Sequence, residues 1–578
     1  MDNIHFVSKD IFKELPHVVE SWWKVAINVV DKVNSSFINN LTFSSREWFD
    51  FSSLHIQVLR NGINIFPTWW TVLITVLFTV SLPLYLVHCW TQKRNRNLTS
   101  NIPGPLSLPI WGSIPTFASS NLVQLFQKLV EAVNKYGPVV RFWMGNKLYI
   151  VISDAESIEK LLSSKAPIKT ISSDSKIANG SGAIAPDVEK WKIHRTIISS
   201  TFNNNVLDQF MWNFFQNSLM LTQKLKLLAN GSSINIYPYV CECALDIICE
   251  TTMGTNVNTQ MEGDHVFVEN LLHALDELGG TLKNPWIIND CIQNRKKQYE
   301  KDKEVSLKYL HEFVDKVITE KLTSQRNGLQ QNRGKQQVEY VQWIRGREMC
   351  LLDLLIRDNQ LTAEEIRDEL CSLMVASSKV AVTCCYVLYL LGVYQEVQDK
   401  VLEEQEKIFG DDIHRATTSK DLCNMNYLEQ VMKESLRLYP SVPFLFRKIE
   451  EDTQLENGYI LPKDSRVVIF SYMTHRNSEY FPDPELFNPE RFSSDTRPCA
   501  YMPFGGGRRI CVAYKYSMME AKMILSSVLR AYTVRTPGGV QSLDRNLQAG
   551  VLLKPANGFN VQMLPRPEKV IPSIFRDV

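Results

Sequence analysis

The 578-residue chain carries twelve cysteines but no C-x-x-C pair among them. That lack excludes a disulfide framework and a zinc module. Cys241-x-Cys243 and Cys384-Cys385 fall in apolar, helix-like runs and read as core. Unpaired cysteines suit a main body in a reducing compartment. Net charge is also close to absent, at +1, so no nucleic-acid partner is expected from charge. A third lack is local: from Asn61 to Gln92 there is no Asp, Glu, Lys or Arg. Such a run exceeds the roughly 20 apolar residues that span a bilayer. Trp69, Trp70 and Trp90 stand at its ends, where interface anchors sit. A cleaved signal peptide does not fit, because the segment starts well inside the chain. The competing reading is a buried core helix.

Lys93, Arg94 and Arg96 come directly after the uncharged run, and the positive-inside rule places them and the remainder of the chain in the cytosol. Asn101-Ile102-Pro103-Gly104-Pro105 is a stiff elbow, since both prolines fix φ and deny a helix. The expected organisation is a lead over 1–65, a transmembrane anchor over 66–92, a basic and proline-rich hinge over 93–110, one large domain over 111–566 and a tail over 567–578. The lead holds two glycosylation sequons, Asn34-Ser35-Ser36 and Asn40-Leu41-Thr42. It is either lumenal or a mispredicted first exon.

The stretch with the clearest chemistry is Pro503-Phe504-Gly505-Gly506-Gly507-Arg508-Arg509-Ile510-Cys511-Val512-Ala513. A cysteine taken at random is a buried small hydrophobe. This one comes after three glycines, which let the backbone pass close to a flat ligand. Two arginines offer cations to acidic groups on that ligand. An apolar helix, expected over Met518–Val534, presents its positive end to the sulfur. A thiolate facing a planar metallocycle is a haem-thiolate axial ligand.

The loop resembles the cytochrome P450 haem-binding signature, F-x-x-G-x-R-x-C-x-G, through Phe504, Gly507, Arg509 and Cys511. Ala513 stands where the family usually has glycine. Other motifs keep the family's order. Glu434-Ser435-Leu436-Arg437 alone is an i, i+3 pair, worth little if exposed. Together with Pro489-Glu490-Arg491-Phe492, the resemblance implies that Glu434, Arg437 and Arg491 form a buried triad. Trp191 and Arg195 share a helix face by their i, i+4 spacing. That is either an ordinary amphipathic helix or, as the resemblance implies, a pair of haem-propionate donors, with Arg447 as another. Residues 137–153 read as two strands around a Gly-Asn turn, and Gly550–Val561 as a closing hairpin. The strands, Ser441-Val442-Pro443-Phe444 and the tail are most similar to family 4 in its arthropod-like form.

The resemblance spans about Pro103 to Pro565. It implies a mainly α fold with a smaller β region, preceded by one transmembrane helix. Its cofactor would be haem b, with Cys511 on the iron. The activity implied is oxygenation of an apolar, fatty-acid-like substrate using O2 and NADPH-derived electrons. NADPH-cytochrome P450 reductase would supply them, with cytochrome b5 as a second partner, at the endoplasmic reticulum membrane. Arg508 and Lys515 are candidates for docking that donor.

Thr362–Gly392 is expected to be one long helix, buried from Leu370 to Leu391. The family carries Glu-Gly-x-Asp-Thr-Thr here, whose acid and threonine manage protons during oxygen activation. This chain has Val375-Ala376-Ser377-Ser378-Lys379-Val380-Ala381-Val382-Thr383. One register sets Lys379-Val380 at the acid–threonine pair, the other Ser378-Lys379. Neither restores it, and Val375 or Ala376 replaces the glutamate that esterifies haem in many family 4 members. Ser377, Ser378 and Thr383 are left as candidates to hold a water, and Lys379 either faces the haem or snorkels away. Two alternatives to monooxygenation therefore stay open: a reductase-independent isomerase or dehydratase, and a haem protein with little catalysis.

Overall fold

The computed structural model describes residues 91–566 except 109–110, 118–120, 164–187, 262–307, 324–349, 411, 413–414 and 495–498. The lead, nearly all of the spanning segment, most of the polar stretch 322–347 and the tail lie outside the described residues.

Along the chain, helix α1 (Leu122–Tyr136) leads into strands β1 (Val139–Met144) and β2 (Lys147–Ile152). Helices α2 (Ala155–Ser163), α3 (Val188–Thr201) and α4 (Met211–Lys226) come next, then strand β3 (Ser233–Asn235) and helix α5 (Tyr237–Ile248). The central helix α6 (Ala363–Val393) is succeeded by α7 (Gln395–Phe409) and α8 (Asn426–Leu438). Strands β4 (Phe444–Lys448) and β5 (Arg466–Phe470) precede helix α9 (Tyr514–Ala531). Strands β6 (Tyr532–Arg535), β7 (Leu547–Ala549), β8 (Leu553–Pro555) and β9 (Asn560–Pro565) complete the order.

The central helix starts where the capping box puts it. Thr362 Oγ1 accepts the Glu365 amide at 3.2 Å, and Glu365 Oε2 accepts the Thr362 amide at 3.0 Å. Its length and apolarity would also cross a membrane, yet 83% of its most apolar window is buried in the protein. It packs against α5, α9, α8 and strand β6, so it is the axis of the helical core. Tyr386 at mid-helix stacks on Tyr439 with ring centroids 4.9 Å apart.

Strands β1 and β2 form the expected hairpin, in register Val139↔Ile152 to Met144↔Lys147. β2 then pairs in parallel with β5, and β5 antiparallel with β4, giving the order β1-β2-β5-β4. The proline elbow lies along the edge of this sheet. The Pro103 carbonyl accepts the Arg141 amide at 2.9 Å. A Cβ on Gly104 would sit 2.2 Å from the Arg141 carbonyl oxygen, so only glycine allows that approach. Arg94 pairs with Asp452, and Arg96 lies over the Trp143 ring at 5.1 Å. Both basic side chains are thus docked on the domain body.

Two expectations are corrected. The helix after the cysteine spans Tyr514–Ala531, not Met518–Val534. Tyr532 turns to φ −134° and ψ 144°, and its β-rich run pairs with β9. Gly550–Val561 is not one hairpin: β7 and β8 pair with each other, whereas β9 pairs with β3 and β6. Strand β3 is the remote partner that draws β9 away.

Candidate active site

The cysteine loop is set by its backbone. Gly505 and Gly507 adopt φ of +76° and +64°, which L side chains avoid. A Cβ on Gly507 would also meet the Leu162 carbonyl oxygen of α2 at 2.6 Å. The loop closes on itself, with the Cys511 amide donating to the Phe504 carbonyl at 2.9 Å and the Gly505 amide to Met502 at 3.0 Å. Helix α9 begins three residues after Cys511 and has no side-chain cap, so its positive end faces the loop. Cys511 is half-exposed, unlike the core cysteines. Burial pushes the Cys241 and Cys371 thiols up to about 12, and raises those of Cys243, Cys249, Cys384 and Cys385 well above the ordinary thiol range. Those are inert thiols.

Arginines from three elements gather around this cysteine. Arg195 of α3 donates from Nη1 to the Ile510 carbonyl at 2.6 Å. Burial lowers its pKa, with the Cys511 sulfur pulling the other way. Arg509 lies 3.9 Å over the Trp191 ring. Burial, then Arg447 and Arg195, push it down to about 10. Arg447, on β4, is 6% exposed and donates to the neighbouring Phe446 carbonyl, at 2.7 Å. Burial alone takes it to about 10. Neither Arg195 nor Arg447 forms an ion pair among the described residues. A buried, unpaired cation next to other cations is unstable without an anion to receive it. Trp191 here carries Arg509 on its ring face. Within the same helix His194, to which the sequence assigned no role, bonds Glu369 of α6 from Nδ1 at 2.7 Å. That contact fixes α3 against the central helix.

Behind the loop the structure brings Glu434, Arg437 and Arg491 together. Glu434 and Arg437 are fully buried, and their forks bond at 2.7 and 2.8 Å. Arg491 Nε donates to Glu434 at 3.2 Å, and the Asn488 amide at 2.9 Å. The remaining Arg437 donors go to the His475, Pro484 and Leu486 carbonyls. His475 had no sequence signal. Its Nε2 accepts the Met502 amide at 2.9 Å, so the proton is on Nδ1, which faces the Arg437 carbonyl at 3.2 Å. One imidazole thus joins the triad to the residue that receives Gly505. Burial, then the charge of Arg437, hold it down to about 3. A buried neutral histidine must be charged on acid unfolding, so its contribution is complete above about 6.5 and is lost as pH falls toward 3. Stability should therefore drop by up to about 1.4 kcal/mol per pH unit below 6.5 from this group. Denaturant midpoints of wild type and His475→Gln between pH 7 and 5 check this. The wild type should lose more, and equal losses would remove His475 from the account.

Helix α6 offers a narrow half-exposed face. Between Leu370 and Gly392 every residue is buried except Ser372, Val375, Ala376 and Lys379, which are half-exposed. Spacings of three and four put these on one stripe. Ser377 and Ser378 lie on the opposite side, and their hydroxyls donate to the Met374 and Val375 carbonyls, both at 2.7 Å. Thr383 donates to the Lys379 carbonyl at 2.8 Å and meets Ser441 Oγ at 2.7 Å. Each of these three hydroxyls donates to a backbone carbonyl and keeps oxygen lone pairs with which to accept. Val380 is also buried. Only the Ser378-Lys379 register puts the second residue of the pair on the exposed stripe. Lys379 stands at the end of the stripe nearest Ser441, and its side chain bonds no described residue. The segment Ser441–Lys448 spans the two walls: Ser441 Oγ donates to the Lys379 carbonyl at 3.3 Å, and Leu445 would meet a Cβ on Gly505 at 3.8 Å. A separate hollow of about 250 Å³, lined by Ser233, Tyr389, Ser542 and Asn560 among others, holds none of these residues.

A sulfur offered by a glycine loop, with cations waiting at its rim, fits a flat ligand bearing a metal and carboxylates, which defines the haem-thiolate class. The cytochrome P450 family profile matches residues 102–563, and the chain belongs to that family. It is similar to cytochrome P450 4c3 of Drosophila melanogaster, 30% identical over 85% of this chain and 95% of the relative. Cytochrome P450 4c21 of Blattella germanica is 33% identical over 81% and 94%. Cytochrome P450 4V2 of Mus musculus is 32% identical over 78% and 87%. The family-4-like reading therefore holds in both arthropod and vertebrate relatives. Members of the family bind haem b through a cysteine thiolate, and the protein is a P450 monooxygenase.

Proposed function

We propose that this monooxygenase hydroxylates an apolar, fatty-acid-like substrate, with Cys511 as the thiolate ligand of haem b. The observation that carries the reading is the convergence of Arg195, Arg447 and Arg509 on the Cys511 loop. These arginines, with Trp191, would hold the propionates, and Phe504 and Gly507 would flank the ring. Bound haem supplies the iron at which dioxygen is activated. The residues of this chain orient it, hold its acid groups and close the apolar space beside α6.

Electrons would come from NADPH through NADPH-cytochrome P450 reductase, with cytochrome b5 as a second donor. Ile193, Ile510 and Tyr514 are exposed beside Arg508 and Lys515, an apolar patch with basic neighbours suited to an acidic flavoprotein. The uncharged run from Asn61 to Gln92 supports anchoring in the endoplasmic reticulum membrane with the body cytosolic. Full-length protein with reductase and NADPH, offered a lipid library, should yield a hydroxylated product. Product formed only without NADPH would overturn the reading.

A second reading has one observation in its favour. The half-exposed stripe of α6 carries no carboxylate, so that stripe offers no acidic side chain to hand on a proton. Turnover of hydroperoxides without NADPH would select a reductase-independent isomerase or dehydratase. For the leading reading the same fact predicts poor coupling on neutral substrates. On a fatty-acid methyl ester most NADPH should end as peroxide. Ser378→Asp with Lys379→Thr, and separately Lys379→Asp with Val380→Thr, should raise product per NADPH several-fold in one of the two registers. Parallel assays of NADPH, peroxide and product measure this, and tight wild-type coupling on the ester would sink it.

A further inference from the structure

We propose that Lys379 anchors the carboxylate of a lipid acid, so that the substrate enters head first and its acid group rests against α6. This deepens the lipid-substrate reading and rests on it. Lys379 is the single charged residue on the half-exposed stripe Ser372, Val375, Ala376, Lys379, in a stretch of helix otherwise buried. Its side chain bonds no described residue, although other lysines of the body find carboxylates nearby — Lys522 with Glu429 at 2.7 Å is one. The residues next to it are apolar: Val375 and Ala376 on its own helix, and half-exposed Val442 on the segment whose Ser441 touches its carbonyl. A lone cation among apolar side chains gains most from one matching anion that also brings hydrocarbon.

The charge count selects a carboxylate. A single ammonium neutralises a monoanion, whereas a phosphate monoester would keep an unmatched negative charge in the same apolar space. A carboxylate held there also stands where α6 lacks its own acid. The substrate would then bring a proton-carrying group to the site that the helix does not supply, which separates acids from neutral lipids in binding as well as coupling.

The test uses full-length, haem-loaded protein and reads binding from the change in haem absorption, with no reductase or turnover. Dodecanoic acid and its methyl ester are titrated into wild type, Lys379→Met and Lys379→Arg. Wild type should bind the acid at least about tenfold more tightly than the ester. Lys379→Met should bind the two within about twofold, and Lys379→Arg should restore the preference for the acid. An intact thiolate band in each variant shows that it is folded. If Lys379→Met fails to fold, Lys379→Gln takes its place, and equal binding of acid and ester by wild type alone overturns the proposal. Retention of the acid preference by the neutral variants also overturns it. Binding of both ligands without preference leaves the lipid reading standing and removes only the anchor; binding of neither overturns both.

Discussion

Cys511→Ser should abolish the red-shifted absorption band that a haem-thiolate protein shows when reduced and exposed to carbon monoxide. A hydroxyl is a far weaker acid than a thiol and does not become an anionic ligand near neutral pH. Nothing else in the described site can take over. Cys241, Cys243, Cys249, Cys384 and Cys385 are buried, with their thiols pushed well up. The loop itself should persist, because its hydrogen bonds are from backbone amides: Cys511 to Phe504 and Gly505 to Met502. The serine variant is thus expected to retain its fold and lose the band and the activity together. A band unchanged in the variant would rule out Cys511 as the ligand.

Arg437→Ala should be the most damaging single change away from the iron side. The guanidinium is fully buried and makes two bonds to Glu434 and three to backbone carbonyls. Its removal leaves the buried Glu434 carboxylate with Arg491 and one amide, and leaves the carbonyls of His475 and Pro484 short of a donor. Breaking a buried pair by deleting one partner costs about 3–5 kcal/mol, a large share of the roughly 5–15 kcal/mol that holds a typical domain. Arg437→Lys should rescue little, since an ammonium is a point charge with no planar fork. The measurement is haem retained per protein after purification, together with the denaturant midpoint. Wild-type haem content in Arg437→Ala would show that the triad is not structural.

Much of this was legible from local sequence. The spacing of Phe504, Gly507, Arg509 and Cys511 encodes a backbone path, because two glycines at positive φ leave few alternatives over so few residues. Thr362 and Glu365 announce the start of α6 for an equally local reason, and Gly145-Asn146 the turn between β1 and β2. Glu434 and Arg437 were legible as a pair from spacing, but their burial only through the family resemblance, since an i, i+3 ion pair looks the same on a surface helix. His475 shows the limit more sharply. His475 acts through Met502 and Arg437, and nothing in the residues beside it distinguishes it from an ordinary histidine.

By itself the sequence marked the candidate ligand cysteine and the long central helix, and its resemblance to a known family implied the class of site and the mainly helical body. The first two depend on capping, periodicity or backbone geometry within one short stretch. Tertiary structure alone decided which face of α6 is half-exposed, and so placed Lys379 on it and Ser377 and Ser378 behind it. It likewise decided that Tyr532–Arg535 leaves the helix to pair with Asn560–Pro565. The physical reason is common to both. Apolar residues at a helical or alternating spacing state that a face will be buried, but the partner that buries it is contributed by distant chain, and only folding brings that partner into contact.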